Sequence, residues 1–141
     1  MILLDTNVIS EPMRLVSDPA VLAWIDEQNV ETLYLAAISL AELRFGVAAL
    51  PGGKKKEILH NSLEQRVVPL FMGRILPFDT AVSEAYAMLR VQARTAGKAI
   101  GTADGYIAAI AVVHHLIVAT RDTAPFEEAG LTVINPWNET S

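Results

Sequence analysis

The chain has 141 residues, 52% of them hydrophobic and 19% charged, and its 11 basic and 16 acidic side chains leave a net charge of −5. This composition excludes a disordered polymer, argues against gripping nucleic acid by bulk electrostatics, and, with no cysteine, excludes disulfides, thiolate zinc sites and a cysteine nucleophile. The longest uninterrupted apolar stretch, Tyr106 to Val113, is far short of the roughly 20 residues that span a bilayer. No basic region or small-residue cleavage site accompanies the apolar Met1 to Leu4, so a cytoplasmic protein with no membrane span is expected. The length suits one domain, residues 1–141.

In chain order, Ile2 to Leu4 read as a short buried strand, and Asp5, Thr6 and Asn7 carry the capping chemistry to open a helix that Pro12 limits. A helix is predicted from about Pro19 to Gln28, with Val21, Leu22 and Ile25 on one face, followed by a strand over Thr32 to Ala36. From Ser39 to Leu50 the apolar positions Leu40, Leu43, Val47 and Leu50 recur at helical spacing, and Pro51, Gly52 and Gly53 stop the run. The next helix begins in Lys54 to Lys56 and carries Leu59, Leu63 and Val67. Ile75 to Phe78 form a short strand, and Asp79 or Thr80 caps a helix with Val82, Tyr86, Leu89 and Ala93 in one stripe, ended by Gly97. Thr102 to His114 is apolar on nearly every side and therefore central; a strand follows at Leu116 to Ala119. Asp122 and Thr123 cap a short helix ending at Gly130, before a final strand at Thr132 to Ile134. Short, non-alternating apolar strands separated by helices imply an α/β sandwich: a central, mostly parallel sheet of about five short strands covered on both faces.

Four acids, Asp5, Glu42, Asp104 and Asp122, stand where these segments turn into helices. Singly, each has a structural reading, because acids are stabilising at helix N-termini. Asp5 and Asp122 read as N-caps, Glu42 completes a Ser39-x-x-Glu42 capping box, and Asp104 sits in a first turn. Jointly they have another. In a parallel sheet the strand-to-helix junctions lie along one edge, where ligands bind, so the four carboxylates would crowd one cleft. Carboxylates about 4 Å apart repel by a few kcal/mol at an effective dielectric near 20, a penalty that a hard divalent cation removes. Oxygen donors without cysteine or paired histidines favour Mg²⁺, or Mn²⁺, over zinc.

The segments around these acids resemble a known family. Leu3-Leu4-Asp5-Thr6-Asn7, Ser39-Leu40-Ala41-Glu42-Leu43, Ala103-Asp104-Gly105-Tyr106-Ile107-Ala108-Ala109 and Ala119-Thr120-Arg121-Asp122 are similar to the ordered motifs of PIN-domain ribonucleases. Within that superfamily the chain most resembles the VapC toxins of bacterial type II toxin–antitoxin systems, particularly the FitB type, which ends in a sequence similar to Asn135-Pro136-Trp137. Gly101-Thr102 departs from the alanines many relatives carry there.

The resemblance implies that Asp5, Glu42 and Asp104 hold the principal metal and that Asp122 completes the cluster or binds a second ion. It implies cleavage of single-stranded RNA by an activated water, leaving a 5′-phosphate, together with a homodimer and a cognate small DNA-binding antitoxin that covers the cleft. Thr6, Asn7 and Thr120 are placed to orient a carboxylate or the scissile phosphate, or merely to cap and turn; Arg121 is placed to clamp a phosphate, or is simply solvated. Arg44 and Lys54 to Lys56 are candidate phosphate contacts or solvated residues, whereas His114 and His115 suit the end of a helix. Trp24, Trp137, Tyr34 and Tyr106 read as core or interface residues. Two other functions compete. A phosphotransferase with Asp5 as nucleophile would want an aspartate where Asn7 stands, or a late lysine, and none follows Lys98. A non-catalytic partner of a DNA-binding protein would use the acidic pocket only to capture an arginine.

Overall fold

The computed structural model describes residues 1–138. Ile2–Leu4 (β1), Leu33–Ala36 (β2), Ile75–Leu76 (β3), Ile117–Ala119 (β4) and Val133–Ile134 (β5) form a five-stranded sheet in the order β3-β2-β1-β4-β5. Every pairing is parallel. Parallel neighbours need a crossover, and helices on both faces supply it, which is why the strands are apolar on both sides instead of alternating.

Successive side chains of a strand point to opposite faces, so each strand feeds two cores. Ile2, Leu4, Leu33, Leu35 and Ala119 belong to one. There they meet Val8 and Ile9 of α1 (Thr6–Ser10), Trp24 of α2 (Pro19–Glu27) and Leu40, Leu43 and Val47 of α3 (Ala37–Ala48). Leu3, Ala36 and Val118 belong to the other, with Val82 and Leu89 of α6 (Thr80–Thr95), Ile107 and Ile110 of α7 (Thr102–His114) and Phe126 of α8 (Ala124–Glu128). The nearly all-apolar α7 is central, as its composition predicts: Gly105 and Ile107 to Ala111 are buried.

Local chemistry moves several boundaries. Pro12 tightens the chain after α1 into a 3₁₀ turn, Glu11–Met13. The helix expected from Lys54 onward runs as α4 (Lys54–Ser62), a π-helical stretch Leu63–Val67 and a last turn α5 (Val68–Leu70). Pro69 lacks an N–H and its ring crowds the carbonyl four residues back, and the wider π turn accommodates both. Gly97, at φ 72°, ends α6 in the left-handed region, where the Lys98 N–H donates to the Ala93 carbonyl at 2.8 Å. His115 does the same for α7 at φ 55°, and the Leu116 N–H bonds back to Ala111, so β4 starts at Ile117 and not at Leu116.

From β1 to β3 the chain steps outward in one direction; β4 and β5 then add on the other side of β1. The order therefore reverses between β1 and β4, and the crevice outside the carboxyl ends of these two strands is where such a sheet binds ligands.

Candidate functional site

Asp5 is the residue after β1, 8% exposed, with its own N–H bonded to the Ala119 carbonyl of β4 at 2.9 Å. It caps α1: Oδ1 accepts from the Thr6 N–H at 2.8 Å. Oδ2 accepts from the hydroxyl of fully buried Thr120, just past β4, at 2.9 Å. The same hydroxyl accepts from the Asp122 N–H at 3.1 Å and from Asn7 Nδ2 at 3.4 Å, which exhausts its hydrogen-bonding capacity. Asn7 Oδ1 accepts in turn from the Arg121 N–H at 3.3 Å. The ends of β1 and β4 are thus laced together around one buried carboxylate.

Glu42 arrives from the neighbouring strand. β2 passes into α3 without a turn residue, with Ala36 as cap, so the helix begins at Ala37 and Ser39 lies inside it, buried, its hydroxyl without a partner. The capping box expected from Ser39-x-x-Glu42 is therefore not formed. Instead Glu42, exposed, reaches across to α1, where Oε1 accepts from the Thr6 hydroxyl at 3.1 Å. Asp104 stands in the first turn of α7, half-buried, as the sequence predicts. Asp122 does not cap α8; the residue before that helix is Thr123, which makes no side-chain cap bond, and Asp122 sits exposed in the bend that its amide ties to Thr120. Thr120 takes up the junction, which displaces the helix start two residues beyond the acid.

Asp5, Thr6, Asn7, Ser10, Glu42 and Asp104 line a cleft of about 330 Å³. Asp122 is not in its lining but acts on it through its charge. Burial raises the pKa of Asp5, the bonds from Thr120 and Thr6 partly oppose this, and the Asp122 charge adds to the rise. The pKa of Asp104 is also raised, first by desolvation and then by the negative charges of Asp5, Asp122 and Glu42 in turn. Asp104 therefore senses all three of the other acids. Among the described residues no three acidic or histidine side chains are closed to ligating distance of one point, as mutual repulsion of like charges favours.

The predicted cations behave differently from the acids. Arg121 is exposed, with its guanidinium 5.0 Å from the Trp137 ring centroid. Arg44 forms a forked pair with Glu64, Nη2 to Oε1 at 2.7 Å and Nε to Oε1 at 3.0 Å. Lys56 donates to the Ala48 carbonyl at 2.9 Å, closing the end of α3. His114 and His115 are at the end of α7 remote from Asp104. Trp24 is core; Trp137 packs against that core and under Arg121. Ser10 in the cleft lining escaped the sequence, where nothing separates it from any serine at a helix end.

The family model for the PIN domain matches residues 2–130. The VapC ribonuclease Y4jK of Sinorhizobium fredii is 63% identical over 97% of this chain and 98% of that protein. Toxin FitB of Neisseria gonorrhoeae is 58% identical over 99% of this chain and all of that protein. Among solved structures, FitAB bound to an IR36 DNA fragment contains a chain that superposes with a TM-score of 0.96 at 55% identity, covering 100% of this chain and 99% of that one.

Proposed function

Because the chain belongs to the PIN-domain family and, within it, to the VapC and FitB ribonuclease toxins, we propose that it is a Mg²⁺-dependent endoribonuclease that cleaves single-stranded RNA as the toxin of a type II toxin–antitoxin pair. The observation that carries this reading is the gathering of Asp5, Glu42 and Asp104, from three separate elements, in the lining of one cleft. Four carboxylates from separate elements act on one another at the edge where the strand order reverses.

The donor set fits a hard cation: carboxylate oxygens with threonine and asparagine beside them, and neither thiolate nor imidazole. Asp5, Glu42 and Asp104 are the residues that would hold it, with Asp122 completing the negative field, and Mn²⁺ would substitute. Bound there, such an ion polarises a phosphodiester and lowers the pKa of water. The chain's own groups do the positioning. Thr120 and the Thr6 amide fix the two oxygens of Asp5, and the Thr6 hydroxyl fixes Glu42, so the two carboxylates reach the cleft with their rotamers set. Asn7, held by the Arg121 amide in the cleft lining, would orient the scissile phosphate.

The reading extends to residues 1–141 working as one domain in the cytoplasm, as a homodimer with a small DNA-binding antitoxin. The gonococcal relative, named a toxin, and the FitAB structure on DNA support the partner. The purified protein should cut single-stranded RNA with Mg²⁺ and fall silent in excess EDTA. Asp5→Asn and Asp104→Asn should each lower kcat by at least about 10³-fold with circular dichroism unchanged. Cleavage persisting in EDTA, or in either variant, would sink the nuclease. A partner that binds equally well without Mg²⁺, with no RNA cut, would make the protein the adaptor instead.

A further inference from the structure

A second depression, about 530 Å³, opens beside α6 and the segment that leads into α7, lined by Tyr86, Arg90, Arg94, Lys98 and Ile100 among others. Three cations line it and no acid does, in a chain whose net charge is −5. Arg90 and Arg94 lie one helical turn apart on the same face of α6, and the left-handed turn at Gly97 brings Lys98 back to them. Like charges at that spacing are mutually destabilising. Among the described residues none of the three is in an ion pair, so no carboxylate there offsets that repulsion.

Arg90 is held in place: Nη1 donates to the Tyr86 hydroxyl at 2.7 Å and to the Thr102 hydroxyl at 3.4 Å. Arg94 and Lys98 are exposed. The pocket lining runs in sequence toward the helix that carries Asp104. Its floor residue Ile100 precedes Gly101, where a Cβ would stand 3.9 Å from Asp104 Oδ2, and Thr102 then opens the helix that carries Asp104. Arg90, through the Thr102 hydroxyl, thus touches the start of the helix that carries the acid.

We propose that Arg90, Arg94 and Lys98 form a phosphate-binding extension of the cleft that holds the backbone of a single-stranded nucleic acid running past Asp104. The inference rests on the nuclease reading above and answers a difficulty in it, since a cluster of carboxylates repels a polyanion unless cations alongside draw it in. Contacts to phosphate position a strand without reading its bases, so the pocket sets register and affinity, not sequence preference.

The test is the double variant Arg94→Gln/Lys98→Gln, whose exposed side chains leave the fold intact, checked by an unchanged melting curve. Binding of a labelled single-stranded RNA is followed by fluorescence anisotropy in EDTA, where no cleavage is required. The variant should bind roughly tenfold more weakly, and its slope of log K against log salt should be shallower by about 1.4, at about 0.7 per lost contact. A peptide nucleic acid of the same sequence, which has no phosphates, should bind neither protein. RNA binding unchanged in the variant, absent in the wild type, or matched by the neutral analogue overturns the proposal, as does poly-glutamate displaced by the substitutions while RNA is not, which would mark a docking site for an acidic protein segment. Cleavage by the wild type with Mg²⁺, measured in parallel, fails or succeeds independently, so loss of the nuclease reading and loss of this one are told apart.

Discussion

Asp5 and Asp104 carry the cost of the site in a measurable form. Both have folded-state pKa values raised above the ordinary 3.8 of an aspartate, so between that value and the raised ones the folded chain binds more protons than the unfolded chain. Stability is therefore highest below the unfolded pKa, falls as pH rises through this window, and has lost the full amount above it. Asp104→Asn should flatten the profile there and raise stability at neutral pH, by about 1 kcal/mol or less because partial exposure screens the repulsion; urea titrations in EDTA across the acid range would show it, and a variant less stable than wild type at pH 7 would contradict it. At this scale the sequence was half legible. Asp5 as a cap on α1 and Asp104 in a first turn are local facts, written in the neighbouring residues. The Ser39-x-x-Glu42 box and the Asp122 cap were not, because strand pairing decides where β2 and β4 end and hence where the next helix starts. Arg121 on Trp137 joins positions that only the sheet brings together.

Between elements, α6 and α7 meet through Gly105, where a Cβ would lie 3.0 Å from Tyr86 Cε2. Glycine inside a helix ordinarily costs about 1 kcal/mol relative to alanine. Here the propensity gain meets a ring that cannot easily give way, since Tyr86 packs at 5.0 Å from the Tyr106 ring and 5.9 Å from that of Phe78. Gly105→Ala should therefore destabilise by about 1 to 2 kcal/mol. Gly46 in α3 has nothing within 4 Å of its Cβ position, so Gly46→Ala should stabilise by about 0.5 to 1 kcal/mol. Thermal melts of the pair test the packing directly: equal shifts of the same sign would mean that the Tyr86 contact does not matter. The helix periods in the sequence were sufficient to find α2, α3, α4, α6 and α7, since an amphipathic or wholly apolar stripe is a local signal. The π-helical stretch was not, because it records how Pro69 is fitted into a helix whose neighbours keep it going.

For the whole molecule, the reversal of strand order between β1 and β4 turns four separate acids into one electrostatic unit. If that unit holds a divalent ion, binding stabilises the folded chain by about 2.7 kcal/mol when the ion is at a hundred times its dissociation constant. Mg²⁺ should then raise the melting temperature by several degrees at fixed ionic strength, and Asp5→Asn should remove most of the rise. Equal shifts with Na⁺, or in that variant, would deny the site a metal. The basic pocket beside α7 depends on the same scale: Arg90, Arg94 and Lys98 are spaced as surface residues, and the turn at Gly97 gathers them in one depression beside the start of α7. The amino-acid order alone determined the layered α/β class, the helices and strands, and the motifs that mark the family, because hydrophobic period, capping and breaker residues act over a few positions. The tertiary structure decided which helix start each acid occupies, which partner fixes it, and which acids share one cleft, because parallel pairing joins residues as far apart as Asp5 and Thr120.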